Sequence, residues 1–211
     1  MCKIKGSENF MNNKAIGIFD SGIGGLMVLK EMMKKMPNEK YIYLGDTKNF
    51  PYGEKSKENI REYTKNNIKT LIEHDVKLIV IACGTATSQA LDEVKNEFEV
   101  PIIGIIEPTV NYISMLDLNK IGVMATTGTI KSGAWEKAIK EKSPNMKVVN
   151  LACPVLANLA ENKQANTKEG RGAIHTYTEY FKKNNVDNII LGCTHYPIYE
   201  DMIRNEFKRQ C

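Results

Sequence analysis

Short runs of apolar, often β-branched residues alternate along the chain with longer segments in which apolar positions recur every three or four residues. The first pattern predicts buried strands, and the second predicts amphipathic helices. Strands are predicted at 15–19, 41–46, 78–81, 100–106, 121–125, 148–151 and 188–191. Because helical segments follow most of these strands after short connections, we expect doubly wound sheets that are mostly parallel. Ligands of such sheets bind beyond the carboxyl ends of the strands.

Two of the predicted strands end in the same way. The first runs into Cys83 and the second into Cys193, each after a small residue and with a threonine within two positions. The segments 15–19 and 120–124 also resemble each other, and each lies well before its cysteine. This repetition predicts a duplicated α/β unit with one thiol in each copy. We therefore expect two pseudo-symmetric, flavodoxin-like domains with the active site in the cleft between them.

The pattern also gives approximate domain limits. The first domain is predicted to contain residues 1–107 and 197–211, and the second residues 108–196. Residues 1–13 are polar and predict a disordered lead-in in which Cys2 is inert.

Composition narrows the class of protein. The 211 residues are 42% hydrophobic and 26% charged, and 29 basic residues alternate with 25 acidic ones, for a net charge of +4. This balance argues against a nucleic acid or a membrane surface as the main partner. No apolar run approaches the roughly 20 residues that span a bilayer. The five cysteines have neither zinc-site nor disulfide-framework spacing, so we expect a cytoplasmic protein with free thiols.

Polar groups follow the strands of the first half at the edge where a ligand is expected. Asp20 and Ser21 open a glycine-rich turn, where either could serve as a helix cap or take part in chemistry. The turn matches neither G-x-G-x-x-G nor the Walker pattern, which argues against a phosphate site. The segment Pro51-Tyr52-Gly53 marks a tight turn after the second strand. Together with Cys83, these groups fall on one sheet edge.

In the second half, the strongest acid/base signal is a cysteine two residues before a histidine. The imidazole of His195 can exchange a proton with the thiol of Cys193 and lower its pKa, although a structural histidine is the alternative. Thr126 belongs to a hydroxyl-rich turn after the strand 121–125. Cys153, followed by proline, is better explained as a packing residue than as a nucleophile. Glu161 falls in a polar stretch that predicts a mobile loop up to residue 172.

The remaining histidines, His74 and His175, are predicted to be exposed, with His175 at the start of a helix that ends at Lys183.

Two thiols from two half-units suit a reaction that is symmetric about one carbon atom. One thiolate removes a proton, and the other thiol returns one to the opposite face, which inverts the stereocentre. Because a Cα–H bond is far less acidic than a thiol, the site must stabilise the carbanion and exclude water. Backbone amides and hydroxyls supply this without a cofactor or a metal ion. The absence of a C-x-x-C pair argues against thioredoxin-like chemistry.

The chain resembles the glutamate racemases of the cofactor-independent aspartate/glutamate racemase superfamily. The last of the shared motifs, with His and Tyr-Pro after the cysteine, is the glutamate racemase form. The motifs that carry the resemblance are Ile16 to Gly25, Tyr43 to Asp46, Pro51 to Gly53, Ala82-Cys83 with Thr85-Ala86, Gly128 to Ser132, Ala152 to Pro154, and Gly192 to Pro197.

This resemblance implies roles for individual residues. Cys83 takes the α-proton from D-glutamate with help from Asp20, and Cys193 takes it from L-glutamate with help from His195. Glu161 aligns with an acidic residue of the family near the second cysteine. The predicted substrate-binding set is Asp20, Ser21, Pro51, Tyr52, Gly53, Gly84, Thr85, Thr126, Thr194 and His195. The family supplies D-glutamate for peptidoglycan synthesis, and its members are often homodimers.

Two features depart from the family pattern. Gly84 stands where the family has an asparagine that helps to hold the substrate, and losing that amide leaves its partner unpaired. The family also continues past the length of this chain, so we expect the first domain to be incomplete at its C-terminal end. The alternatives to glutamate racemisation are a racemase-like protein that binds an amino acid or a partner without turnover, and an aspartate racemase.

Overall fold

The structure, a computed structural model, describes residues 13–208. The predicted lead-in, with Cys2, lies outside the described residues except for position 13. The described part of the chain forms two parallel sheets. The first sheet has the order β2-β1-β3-β4, with β1 at Ala15–Asp20, β2 at Tyr41–Gly45, β3 at Val76–Ile81 and β4 at Ile102–Gly104. Each neighbouring pair of these strands is parallel.

The second sheet repeats the first. Its order is β6-β5-β7, with β5 at Lys120–Ala125, β6 at Lys147–Ala152 and β7 at Ile189–Leu191. By chain order and pairing, β5 corresponds to β1, β6 to β2, and β7 to β3. Within residues 13–208 this sheet has no counterpart of β4. The predicted fold class, two doubly wound parallel-sheet units, is confirmed.

Helices cover the sheets. They are α1 (Leu26–Lys35), α2 (Lys57–Glu73), α3 (Gly84–Val94), α4 (Ile106–Ile113), α5 (Thr127–Ser132), α6 (Ala134–Lys142), α7 (Pro154–Glu161), α8 (Lys168–Lys183) and α9 (Glu200–Lys208). Short 3₁₀ helices occur at Tyr52–Glu54, Lys95–Glu97 and Tyr196–Tyr199. No helix among the described residues is both long and apolar enough to cross a membrane.

The strand β3 shows why a continuous apolar run forms a central strand. Ile79 and Ile81 point to one face and pack in a core with Leu71 of α2, whereas Val80 packs on the opposite face with Ile18. Full burial of each such side chain contributes about 1.5–3 kcal/mol. Because both faces are covered, the run needs no polar alternation.

Side-chain caps fix where several helices begin. Ser56 accepts a hydrogen bond from the amide of Asn59 at 3.3 Å and begins α2, and Thr167 caps α8 in the same way through Gly170. Each such cap stabilises its helix by about 1 kcal/mol.

The structure corrects several predicted boundaries. The apolar spacing of Leu91, Val94 and Phe98 predicts a helix from Ala90 to Phe98, but the helix after Cys83 begins at Gly84, since the thiol itself caps it. The predicted strand 100–106 is shorter, because Ile106 already begins α4. The helix α8 starts at Lys168, so the exposed His175 lies within it rather than at its start.

The segment after His195 packs on the second sheet. Tyr199 and Ile203 join a core that also contains Met124 of β5 and Cys153. In the described residues the 3₁₀ helix Tyr196–Tyr199 contacts α7 and α9, and α9 contacts α8. The domain limits, with residues 197–211 grouped with the first domain, stay a prediction.

Candidate active site

The two cysteines end corresponding strands. Cys83 follows β3 and is the N-cap of α3, where its Sγ accepts a hydrogen bond from the amide of Ala86 at 3.5 Å. Its thiol also lies 3.6 Å from the hydroxyl of Ser21. Cys193 comes two residues after the end of β7. Both thiols therefore lie at the carboxyl edges of their sheets, where doubly wound folds bind ligands.

Burial controls the protonation of Cys83. Removal from water and, to a smaller extent, the nearby carboxyl group of Asp20 raise the pKa of this thiol to about 11. The hydrogen bonds with Ala86 and Ser21 act in the opposite direction. The thiol is therefore neutral near pH 7 and needs a proton acceptor before it can act as a base.

Cys193 begins a chain of three side chains. Its Sγ lies 3.8 Å from Nδ1 of His195, and Nε2 of the same ring lies 2.7 Å from a carboxylate oxygen of Glu161. His195 is only 5% exposed and packs at an angle against the ring of Phe50. Burial raises the pKa of the Cys193 thiol, opposed by the backbone amide of His195. The carboxylate favours a proton on Nε2, which leaves Nδ1 free to accept one from the thiol.

Asp20 joins the two halves of the site. One carboxylate oxygen accepts hydrogen bonds from the amides of Gly22 and Gly25, each at 3.1 Å. The other accepts one from the hydroxyl of Thr194, which belongs to the second half, at 3.1 Å. Burial raises the pKa of this carboxyl, and the proximity of His195 lowers it in part. Asp20 is thus not the N-cap of α1, which is Gly25, but it ties the turn before α1 to the opposite cysteine loop.

Three buried threonine hydroxyls meet on the other side of the site. Thr85 and Thr126 are 2.9 Å apart through their Oγ1 atoms, and Thr129 lies 2.9 Å from Thr126 and 3.3 Å from Thr85. Thr126 also caps α5 through the amide of Thr129. These hydroxyls connect the N-termini of α3 and α5, where backbone amides and the helix dipole favour a negative group.

The turn at Pro51–Gly53 is held in place by hydrogen bonds to the side chain of Tyr52. The hydroxyl of Tyr52 donates to a carboxylate oxygen of Asp46 at 2.5 Å and accepts a hydrogen bond from Asn67 at 3.0 Å. Burial, together with the bond to Asp46, raises the pKa of Tyr52 well above its ordinary value. The phenol therefore stays protonated.

The halves touch through glycines. A Cβ on Gly84 would collide with the carbonyl oxygen of Gly192, and one on Gly53 would lie 2.7 Å from the Cβ of Thr126. A Cβ on Gly24 would lie 2.7 Å from Oγ1 of Thr194. The glycines thus allow close backbone approach beside the cysteines.

One cavity of about 310 Å³ borders this contact. Its lining is mostly apolar and includes Gly84, Gly192, Cys193 and Trp135. A group of potential metal ligands among the described residues, His175, Glu179 and Glu206, lies on α8 and α9, away from the cysteine loops.

The structure brings the predicted site residues to the facing sheet edges, with one correction. Glu161 was expected in a mobile loop, but it is the last residue of α7, and its carboxylate is fixed by His195. The prediction was wrong because an Asn- and Lys-rich sequence after Glu161 concealed the apolar spacing of Leu156 and Leu159. Cys153 is buried in the second core, in agreement with a packing role.

Sequence reasoning missed some supporting residues. Asp46, Asn67 and Thr129 were not among the predicted site residues, although each contacts one of them directly. Asp46 and Thr129 lie within motifs shared with the racemases, which was a usable signal. For Asn67, in the middle of an amphipathic helix, the sequence contains no such signal.

Comparison with known proteins assigns the chain to a family. Residues 27–211 match the Asp/Glu/Hydantoin racemase family. The glutamate racemase of Enterococcus faecalis is 41% identical over 195 residues, which cover 92% of this chain and 71% of that protein. The crystal structure of glutamate racemase isoform RacE1 from Bacillus anthracis superposes with a TM-score of 0.87 at 36% identity, covering 92% of this chain and 73% of that one.

A second crystal structure, glutamate racemase from Francisella tularensis in complex with D-glutamate, gives a TM-score of 0.86 at 38% identity, covering 93% of this chain and 74% of that one. The family match spans most of the chain, and the similarity to these relatives extends over both sheets. The chain belongs to the Asp/Glu/Hydantoin racemase family.

Proposed function

We propose that this protein is a glutamate racemase, which interconverts L-glutamate and D-glutamate by proton transfer at Cα between two cysteines and without a cofactor. The observation that carries the proposal is the placement of Cys83 and Cys193 at the carboxyl ends of corresponding strands, beside the contact between Gly84 and Gly192. The choice of glutamate as the substrate follows from the relatives, which are named glutamate racemases.

In the direction from L-glutamate, Cys193 is the base. Its proton passes to Nδ1 of His195, and the resulting imidazolium is stabilised by the Glu161 carboxylate 2.7 Å from Nε2. The thiolate then takes the α-proton, and Cys83 gives its thiol proton to the opposite face of the carbanion. One C–H bond breaks as the S–H bond of Cys193 forms, and the S–H bond of Cys83 breaks as a C–H bond forms on the opposite face. The stereocentre is thereby inverted.

In the direction from D-glutamate, Cys83 is the base and Asp20 is its proton acceptor. Burial raises the pKa of the Asp20 carboxyl and so makes this carboxylate a better acceptor for a thiol proton. The hydrogen bond from Thr194 couples Asp20 to the loop of the second cysteine, so a change in its charge is felt on both sides of the substrate.

The carbanion requires electrostatic stabilisation. The substrate carboxylates are proposed to lie near the threonine hydroxyls and the amides at the N-termini of α3 and α5, with Ser21 and the Pro51–Gly53 turn completing the site. Fixed donors of this kind are worth about 3–4 kcal/mol each where charge develops in a water-free site. The halves, which are in close contact at Gly84 and Gly53, are proposed to separate to admit the substrate and to close again around it.

The biological setting is part of the proposal. Free thiols suit a reducing cytoplasm, and the D-glutamate produced would serve peptidoglycan synthesis. A homodimer is proposed as well, and sedimentation equilibrium would test it directly.

Racemisation by the purified protein tests the function. Circular dichroism would follow the optical signal of each glutamate enantiomer, with EDTA present and no cofactor added. Two concentrations on the order of KM, about tenfold apart, would be used. We expect the optical signal to decay to zero from either side, and aspartate to be inert. Absence of decay in a folded protein that still binds glutamate would favour the racemase-like protein without turnover. The presence of Gly84 in place of the asparagine of the family is the feature that favours this alternative. Decay with aspartate alone would favour the aspartate racemase.

A further inference from the structure

We propose that Asp46 and Asn67 are positioning residues for the proposed racemisation, which hold the Pro51–Gly53 turn so that it meets the substrate with its main chain. The inference rests on the proposed function and deepens it. Neither residue is among those that the resemblance places at the substrate. Their common partner is the hydroxyl of Tyr52, a side chain only 1% exposed.

The Tyr52 hydroxyl uses its one proton and accepts one hydrogen bond within the protein. A phenol has one proton to donate, and Tyr52 donates it to Asp46 at 2.5 Å. Its oxygen accepts a hydrogen bond from Nδ2 of Asn67 at 3.0 Å. With both partners in place and the ring buried, the side chain is a structural anchor and not a substrate contact.

The rest of the turn offers little besides peptide groups. Pro51 lacks an N–H and its ring is apolar, and Gly53 has no side chain at all. Gly53 also approaches the Cβ of Thr126 in the opposite half so closely that a Cβ would not fit. The turn therefore presents the peptide backbone of residues 52 and 53 at the cleft. The position of this backbone depends on the anchored ring of Tyr52.

Asp46 is itself fixed from two sides. Both of its carboxylate oxygens accept hydrogen bonds from Nδ2 of the Asn49 side chain, at 3.0 and 2.9 Å. Its backbone N–H donates to the carbonyl oxygen of Asp20 at 2.9 Å. The end of β2 thus connects the turn to the strand that carries Asp20, so the two substrate-facing loops of the first half share one support.

Asn67 supplies the support from α2. Its side chain is buried in the helix face that packs on the first sheet. One turn earlier on the same helix, Thr64 is also buried, but its hydroxyl has no hydrogen-bond partner among the described residues. Thr64 therefore offers a matched control, since its replacement changes the same helix face without removing a hydrogen bond to the turn.

The test compares Asn67→Leu, Tyr52→Phe and the double variant with wild type and Thr64→Val. Removing an interaction that binds the substrate and the transition state equally well changes KM and leaves kcat unaltered. We expect Asn67→Leu and Tyr52→Phe each to raise KM for both enantiomers, and the calorimetric Kd for D-glutamate, by about fivefold to tenfold, with kcat within about twofold of wild type. The double variant should be no worse than the poorer single variant, because both act through one contact. Thr64→Val should match wild type.

The outcomes separate the two claims. An unchanged KM in Asn67→Leu, or a fall in kcat alone that follows the loss of folded protein, overturns the positioning role while the racemase proposal stands. A large effect of Tyr52→Phe with none of Asn67→Leu leaves Asp46 as the one anchor of the hydroxyl and overturns the role of Asn67. A folded wild-type protein that neither binds nor racemises glutamate contradicts the proposed function and, with it, this inference.

Discussion

Gly84 packs directly against the carbonyl oxygen of Gly192, so the two halves of the molecule meet through their backbones one residue from each cysteine. No side chain larger than hydrogen fits at Gly84 without moving that carbonyl. Because Gly84 is the first residue of α3 and follows Cys83, this contact fixes the helix end that orients the thiol. In the proposed mechanism, closure of the cleft and the orientation of Cys83 as a base therefore depend on the same atom pair.

Replacing Gly84 by alanine should force residue 84 and the Gly192 carbonyl apart and so disturb the contact between the halves seen in this structure. Overpacking of this kind costs about 1–3 kcal/mol, so we expect kcat/KM to fall by about tenfold to a hundredfold, equally for both enantiomers since their equilibrium constant is one. Racemisation assays with each enantiomer provide the measurement. Gly172→Ala is the control: it lies in α8, nothing is within 4 Å of its added Cβ, and alanine should stabilise the helix by about 0.5–1 kcal/mol without changing activity. Full activity of Gly84→Ala would show that this contact is not part of the reactive closed state.

The pairing of Glu161 with His195 predicts a second loss of activity. Glu161→Gln keeps the shape of the side chain but removes the charge that, in the proposed mechanism, stabilises the His195 imidazolium. A hydrogen bond to a charged group is worth about 1.5–3 kcal/mol, so kcat/KM should fall by about tenfold to a hundredfold. The matched control is Glu206→Gln, which changes a second histidine–glutamate pair, with His175 at 2.8 Å, on the surface of α8 and α9. If the two variants were equally active, the Glu161 carboxylate would have no part in the proton transfer.

The raised pKa of Cys83 predicts how stability depends on pH. The folded protein holds the thiol proton up to about pH 11, whereas the unfolded chain releases it around the ordinary value of 9.0. The folded state thus binds more protons in this interval, and its contribution to stability, complete below pH 9, is lost as the pH rises toward 11. Between pH 8 and pH 10, the free energy of unfolding should fall by on the order of 1 kcal/mol more in wild type than in Cys83→Ala.

Urea unfolding of both proteins at the two pH values measures this difference. The comparison cancels groups common to both proteins, such as lysines and Cys153. Equal losses in the two proteins would mean that the Cys83 thiol is not buried as described.

Much of the fold follows from local sequence. The apolar runs that end at Cys83 and Cys193 predict the central strands because burial on both faces leaves few other solutions, and their repetition predicts two similar sheets. The predicted limits failed where a side chain rather than periodicity decides the boundary. The capping thiol of Cys83 starts α3 six residues earlier than the apolar spacing suggests.

The site is partly predictable for the same reason. Side chains at strand ends, such as Asp20 and Cys193, are identified by topology alone, because parallel strands bring their carboxyl ends together. Contacts that join distant segments were not predictable. The approach of Gly84 to Gly192 and the bond from Asn67 to Tyr52 depend on how helices and sheets are placed in space, and no local pattern encodes them.

Incorporation of deuterium at Cα tests the central claim most directly. L-glutamate and D-glutamate would each be incubated with the protein in D₂O, and label in substrate and product would be measured by NMR at low conversion. Two cysteines on opposite faces predict deuterium in the newly formed enantiomer and little in the recovered substrate, with conversion abolished in Cys83→Ala and in Cys193→Ala. Equal label in both enantiomers from the start, or unlabelled product, would contradict proton transfer by two separate bases.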